Sequence, residues 1–161
     1  GKFKLHAHSR ICKNPLSGAL PDGFNKLTQL HTLSMEQNCL TGRFPQNICI
    51  GRSLTSFIVS ENNFVGDSPR SLKNCSSLRR INVADNQLSG SISEEFGVYP
   101  YVEFINLSNN EFFGQLSWNW SGYLTLTALA ISNNHLSGRI PTGFGELSLF
   151  FFFFFFFFQI S

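Results

Sequence analysis

The residues of this 161-residue chain that are chemically equipped to act are few, and each has a plain structural alternative. His6 and His8, two apart, would put two imidazoles on one face of a strand. A zinc site needs three or four ligands, so the pair reads more simply as an exposed, degenerate segment. His31 and His135 fall at variable positions and read as surface. Gly143-Phe144-Gly145 is a G-x-G without a third glycine, and the sequence contains no V-A-I-K, H-R-D or D-F-G string. The chain therefore does not transfer phosphate, and no catalytic residue, metal ligand set or cofactor is expected of it. Three N-x-S sequons begin at Asn74, Asn106 and Asn119, and together they favour a secreted setting.

Charge excludes a further class. Lys and Arg number 12 against 10 Asp and Glu, for a net charge of +2. With charged residues at only 14% and Arg79-Arg80 as the densest basic pair, there is no footprint for nucleic acid. Four cysteines are present, Cys12, Cys39, Cys49 and Cys75. Cys49 and Cys75 lie at similar depths of successive repeats, where neighbouring strands run roughly 5 Å apart. A bridge between them is one reading; the other is that Cys75 is a small buried filler. Cys12 and Cys39 have no obvious mate.

What positions these residues is a repeat. Asn14, Asn38, Asn62, Asn86, Asn110 and Asn134 follow one another at intervals of 24 residues, and a glycine stands four after each, from Gly18 to Gly138. An apolar residue comes two after each Asn, and others come eight, five and three before it, as in Leu54, Phe57 and Val59 before Asn62. The template L-x-x-L-x-L-x-x-N-x-L-x-G has the period of a leucine-rich repeat. Its L-x-L alternation puts two side chains on the inner face of a short strand. Stacked Asn amides would satisfy backbone groups that the turn buries, and the Gly would admit a conformation hindered by a side chain. One coil cannot bury its apolar face alone, so the coils must stack and share a core.

The predicted fold is an α/β-type repeat solenoid: a leucine-rich repeat of about six 24-residue coils, uncapped, with a parallel concave sheet and a right-handed twist. Residues 1–13 read as a degenerate leading coil, because its register positions hold His6, Ser9 and Ile11. Residues 14–149 form the solenoid proper. Residues 150–161 hold nine consecutive Phe, too short a run to span a bilayer, which takes about 20 residues. Its period is gone, and Phe codons make a pyrimidine tract, so this tail is expected to be translated intron or a pseudogene scar.

Outward positions on the concave sheet come six, four and two residues before each Asn. Most hold small polar residues, as a groove for an extended peptide would. Ile58 and Phe104 are apolar there, with Arg80 between them and Glu36 nearby. The expected partner-binding set is Glu36, Ser56, Ile58, Ser60, Arg80, Asn82, Phe104 and Asn106, with an apolar ligand side chain on Ile58 or Phe104 and a carboxylate on Arg80. The plainer alternative is that one or two apolar residues on an exposed sheet are ordinary. A glycan on Asn106 would project from the same face. Trp120 is expected to replace the aliphatic core residue that aligns with Phe24, Ile48, Leu72, Phe96 and Phe144.

After the glycines the coils read Leu20-Pro21, Phe44-Pro45 and Ile140-Pro141, with departures at Ser68-Pro69, Ile92-Ser93 and Leu116-Ser117. This resembles the L-x-G-x-I-P signature of plant receptor-like kinases, receptor-like proteins and polygalacturonase inhibitors. That likeness implies a second short strand in the segment after the Gly. The strings Asn47-Ile48-Cys49, Ser71 to Leu78, Phe96-Gly97-Val98-Tyr99-Pro100 and Phe104 to Asn110 are similar to the ectodomain of the plant male discoverer-interacting receptor-like kinase group. The likeness runs over about residues 14 to 149. It implies a single-pass plasma-membrane parent with a cytoplasmic serine/threonine kinase and an extracellular segment perceiving a secreted peptide or a co-receptor ectodomain. Membrane attachment would come only through a transmembrane segment this sequence does not contain, and no signal peptide is seen. Alternatives are a secreted inhibitor of cell-wall-degrading enzymes built on the same repeat, and a pseudogene fragment without function.

Overall fold

The computed structural model describes residues 8–10, 16–116 and 125–139, with side chains from residue 16 onward. Every coil contributes one strand to each of two parallel sheets. The concave sheet is built from β1 (His8–Arg10), β3 (Thr32–Ser34), β5 (Ser56–Ile58), β7 (Arg80–Asn82), β9 (Phe104–Asn106) and β11 (Ala128–Ala130), in that order. The second contains β2 (Ser17–Ala19), β4 (Cys39–Gly42), β6 (Asn63–Gly66), β8 (Gln87–Ser91), β10 (Glu111–Gln115) and β12 (His135–Ser137), again in chain order. Constant coil length sets the concave register: Leu33, Phe57, Ile81, Ile105 and Leu129 align as one inward row. All five are buried, and they belong to one continuous apolar core that also takes in Leu30, Met35, Leu54, Val59, Leu78, Val83, Val102 and Leu107. The chain is thus a leucine-rich-repeat solenoid, and β1 pairs in parallel with β3.

The asparagine row closes each coil onto its neighbours. Asn86 is representative: its Oδ1 accepts the Phe64 N–H of the preceding coil at 3.0 Å, and its Nδ2 donates to the carbonyls of Val59, Val83 and Ala84 at 3.0–3.1 Å. Asn62, Asn110 and Asn134 repeat the pattern. Backbone groups that a turn would leave dry and unpaired are therefore satisfied by the next coil's amide, as the spacing predicts.

The second sheet departs from the expectation drawn from the resemblance. From β4 onward its strands do not follow the Gly; they begin one residue after the Asn, and β4 and β6 end on Gly42 and Gly66, whereas β2 begins at Ser17. At the glycine the backbone takes a positive φ, +81° at Gly42 and +78° at Gly66, a conformation that a residue without a Cβ adopts readily. β2, β8 and β10 continue one residue beyond the glycine.

On the convex side the coils vary. Two make 3₁₀ turns, Asp22–Lys26 and Arg70–Asn74, each entered from a proline, Pro21 and Pro69, whose fixed φ suits the start of a helical turn. The coil whose proline is replaced by Ser93 makes a single helical turn, α1 (Ile92–Glu95). Phe24, Ile48, Leu72 and Phe96 all point inward and are buried, as their shared position predicts. Among the described residues no helix is long and apolar enough to cross a membrane.

Candidate recognition surface

The concave register sorts the outward residues into two rows. The first runs Thr32, Ser56, Arg80, Phe104, Ala128, and the second Ser34, Ile58, Asn82, Asn106, Ala130. Arg80 and Phe104 are neighbours in the first row, and the Arg80 guanidinium lies over the Phe104 ring at 4.4 Å from its centroid. Ile58 belongs to the second row, one strand before Arg80 and two before Phe104, so at a strand spacing of about 4.8 Å it is not part of the same contact. The fold therefore brings together Arg80 and Phe104 and leaves Ile58 as a separate apolar point.

The other expected residues are partly committed. Asn82 donates to Ser60 Oγ at 3.2 Å, and its Oδ1 accepts the Ala84 N–H at 3.3 Å. Ser60 itself is buried rather than outward-facing, because the strand ends at Ile58 and the chain turns inward before Asn62. Its counterparts Ala84 and Ser108 are buried too, so the row two residues before the Asn is not a contact surface in those coils. Glu36, at the same position in an earlier coil, is half-buried. Asn106 bends back so that its Oδ1 accepts the Ser108 N–H at 3.0 Å. Ser56 is half-buried in the first row.

One row was not anticipated. From Asn38 to Asn134, the residue immediately before each repeat Asn is left-handed although none is glycine: Gln37, Glu61, Asp85, Asn109 and Asn133 have φ between 52° and 57°. Their side chains form a polar rail along the edge of the sheet. Gln37 Nε2 donates to both oxygens of Glu61, Asn109 Nδ2 to Asp85, and Asn133 Nδ2 to Asn109. Glu61 and Asp85 are thus each held from the far side, and two carboxylates stand on successive rungs beside a depression of about 470 Å³ lined also by Asn38, Asn62 and Asn63. Asn and Asp tolerate this conformation, but Gln and Glu have no special preference for it, so the row carries no shared residue type to read.

Cys49 and Cys75 are joined in a disulfide with Cα atoms 6.0 Å apart, which decides between the two readings of Cys75. Cys39 is a free, exposed thiol. Arg79, beside Arg80 in sequence, points elsewhere: it pairs with Glu103 at 3.0 Å and lies 5.8 Å from the Tyr101 ring centroid. Below them Tyr99 is fully buried, its hydroxyl accepting the Gly97 N–H at 3.2 Å, and burial pushes its phenol far above the ordinary range. Among the described residues no group of three or more His, Cys, Asp or Glu is placed to hold a metal ion. His6 and the side chain of His8, Cys12, Trp118, Asn119, Trp120, the Gly143-Phe144-Gly145 string and the Phe tail lie outside the described residues or side chains.

The chain's likenesses agree with this architecture. Two family models match it, Leucine rich repeat over residues 52–112 and Leucine Rich Repeat over residues 125–147. No curated protein matches the sequence. Among solved structures it is similar to the Arabidopsis receptor kinase HAESA in complex with the peptide hormone IDA and the co-receptor SERK1, at 33% identity and a TM-score of 0.82, covering 88% of this chain and 24% of that one. It is also similar to the plant peptide hormone receptor RGFR1 in complex with RGF2, at 31% identity and a TM-score of 0.77, covering 87% of this chain and 22% of that one. A plant ice-binding protein shares the architecture at 25% identity and a TM-score of 0.69, over 81% of this chain and 42% of that one. The chain thus spans about a quarter of the length of the receptors it matches.

Proposed function

We propose that this leucine-rich-repeat solenoid is a ligand-recognition segment of a plant receptor-like serine/threonine kinase ectodomain, of the male discoverer-interacting group, facing the outside of the plasma membrane. Its concave sheet takes a secreted peptide in extended form, or a co-receptor ectodomain. The similarity to solved receptors that bind peptide hormones supports the reading, and Arg80 is the observation that carries it.

Arg80 is the one charged residue at the outward positions of β3, β5, β7, β9 and β11. Its guanidinium makes no ion pair among the described residues, and its face is held on Phe104. Stacking fixes one side of the planar group and leaves its N–H edge for a carboxylate, which Arg binds through two parallel hydrogen bonds. Five residues further along the same coil stands Asp85, next to Glu61 on the polar rail. At most about 17 Å of chain separates Arg80 from that acidic edge. A peptide bearing a carboxylate and a basic group would thus be held in one orientation.

The test is titration of the secreted protein with synthetic peptides whose C-termini are either free or amidated. Peptides with a free carboxylate are expected to bind more tightly. Arg80→Ala should weaken them by roughly 10- to 100-fold, the worth of a charge-assisted hydrogen-bond pair. Identical isotherms for the wild type and Arg80→Ala with every binding peptide would remove this site.

A further inference from the structure

The convex face presents a feature that peptide recognition leaves unexplained. Among the described residues the large apolar side chains that stand exposed are five: Ile50, Val65, Val98, Tyr101 and Phe113. Ile50 and Val98 are each about half exposed and occupy the same repeat position, 24 residues to either side of Asn74. Asn74 is itself exposed, at the end of the 3₁₀ turn Arg70–Asn74, and opens the sequon Asn74-Cys75-Ser76. Its position is fixed from below, because Cys75 is fully buried and bridged to Cys49. Unlike Asn106, whose Oδ1 is taken by a backbone N–H, the Asn74 amide makes no hydrogen bond to a described residue. It borders a groove of about 540 Å³ whose wall includes Arg52, Lys73, Ser76, Ser93, Phe96 and Val98.

We infer that Asn74 carries an N-linked glycan whose first sugar ring is seated in this groove, against Val98. The inference rests on the extracellular placement proposed above. A pyranose has an apolar face of C–H groups and a rim of hydroxyls. The groove offers the complement of both: the exposed Val98 and the edge of Phe96 for the ring face, with Arg52, Lys73 and Ser93 as donors to the hydroxyls. The volume falls in the range of small-ligand sites. Covalent attachment removes most of the entropic cost of holding the sugar there, since Asn74 is part of the groove itself. The glycan is transferred from an oligosaccharide on a lipid diphosphate. Asn74 Nδ2 forms the bond to the sugar's C1, the C1–O bond to the diphosphate breaks, the lipid diphosphate leaves, and the amide proton passes to the transferase. The modified face is convex, so the concave rows of Arg80 and Phe104 stay open.

The experiment expresses the whole chain through a eukaryotic secretory pathway and reads glycopeptides by mass spectrometry and amide exchange over Phe96 to Val98. A glycan on Asn74 is expected. Asn74→Gln and Ser76→Ala, which abolish the sequon from its two ends, should both raise exchange at Val98 several-fold while leaving β9 unchanged. Asn74 unmodified while Asn106 or Asn119 is modified overturns the inference and leaves the extracellular placement standing. No modification at any of the three removes both. A glycan on Asn74 whose loss leaves Val98 exchange unaltered in both variants overturns the seat.

Discussion

Asn86→Ala is the sharpest trial of how this solenoid is held together. The side chain is buried and makes four hydrogen bonds, but these are not equal losses. The Val59 carbonyl keeps Asn62 Nδ2 as a donor, the Val83 carbonyl keeps Asn110 Nδ2, and the Ala84 carbonyl keeps the Glu61 N–H. The Phe64 N–H keeps nothing, because Asn86 Oδ1 is its acceptor in a fully buried position. Orphaning one such donor costs roughly 1–3 kcal/mol, and the small void left by the amide adds to it, so a loss of about 3 kcal/mol is expected. Asn86→Asp separates the contributions. A carboxylate still accepts the Phe64 N–H, but it faces three carbonyl oxygens without a proton to offer. That environment favours the protonated acid and raises the folded-state pKa of the introduced carboxyl above its unfolded value of about 3.9. The stability of the Asn86→Asp variant is then full below the unfolded pKa and is lost as pH rises through the raised folded one. Urea unfolding followed by circular dichroism should place Asn86→Asp above Asn86→Ala near pH 4 and level with it or below at pH 7. Amide exchange should show the Phe64 N–H opening first in Asn86→Ala. A loss under about 1 kcal/mol for Asn86→Ala, together with a pH-independent Asn86→Asp, would refute the reasoning, since it would mean that water or backbone movement replaces the amide at no cost.

Other perturbations probe separate parts of the structure. Gly97→Ala places a Cβ into the Lys73 carbonyl oxygen of the preceding coil, and backbone cannot give way as a side-chain tip can, so thermal unfolding should shift downward by several degrees; an unchanged midpoint would show that the coils can part there. Cys75→Ser opens a bridge that closes 26 residues, which a chain-entropy estimate puts at about 3.5 kcal/mol, and Cys49→Ser should match it; a Cys39→Ser control, on an exposed thiol, should not move the midpoint. Arg80→Ala and Phe104→Ala should leave stability within about 0.5 kcal/mol of wild type, because both lie on the open face, while binding of carboxylate-bearing peptides falls.

Much of this architecture is legible in the sequence because each inward residue answers to two constraints at once. Phe57 must be apolar to fill the core and must recur 24 residues from Leu33 and Ile81 to meet them across the sheet, so type and spacing point to the same strand. The asparagines are legible for the same reason, since one short side chain must offer an acceptor and donors together at that bend. The rest is illegible where only one constraint acts. The left-handed residue before each Asn is chosen by backbone geometry alone, and Gln37, Glu61 and Asp85 share no type to betray it. The burial of Ser60 follows from where β5 ends, which a two-residue alternation cannot set. The convex turns differ from coil to coil, 3₁₀ at Arg70–Asn74 and helical at Ile92–Glu95, so the groove beside Asn74 has no pattern to be read from. The disulfide is an intermediate case: the spacing of Cys49 and Cys75 permits it, but only the 6.0 Å between their Cα atoms decides it.

The same division separates the scaffold from the proposed recognition surface. Inward rows and the asparagine row determine whether coils stack, and they hold nearly every buried side chain. The outward rows of the concave sheet contribute little to stacking, since strand pairing there is made by backbone groups whatever side chain projects. Arg80 stacked on Phe104, Ile58 one strand away and the carboxylates of Glu61 and Asp85 at the rim can therefore be changed without undoing the coil that carries them. In the proposed role, binding specificity is rewritten in those positions while the solenoid remains the same, whereas a change at Asn86 alters the scaffold first. A variant at Arg80 or Phe104 that unfolds the coil would contradict this separation directly, because it would show that the exposed stack, and not the buried ladder, holds β7 against β9.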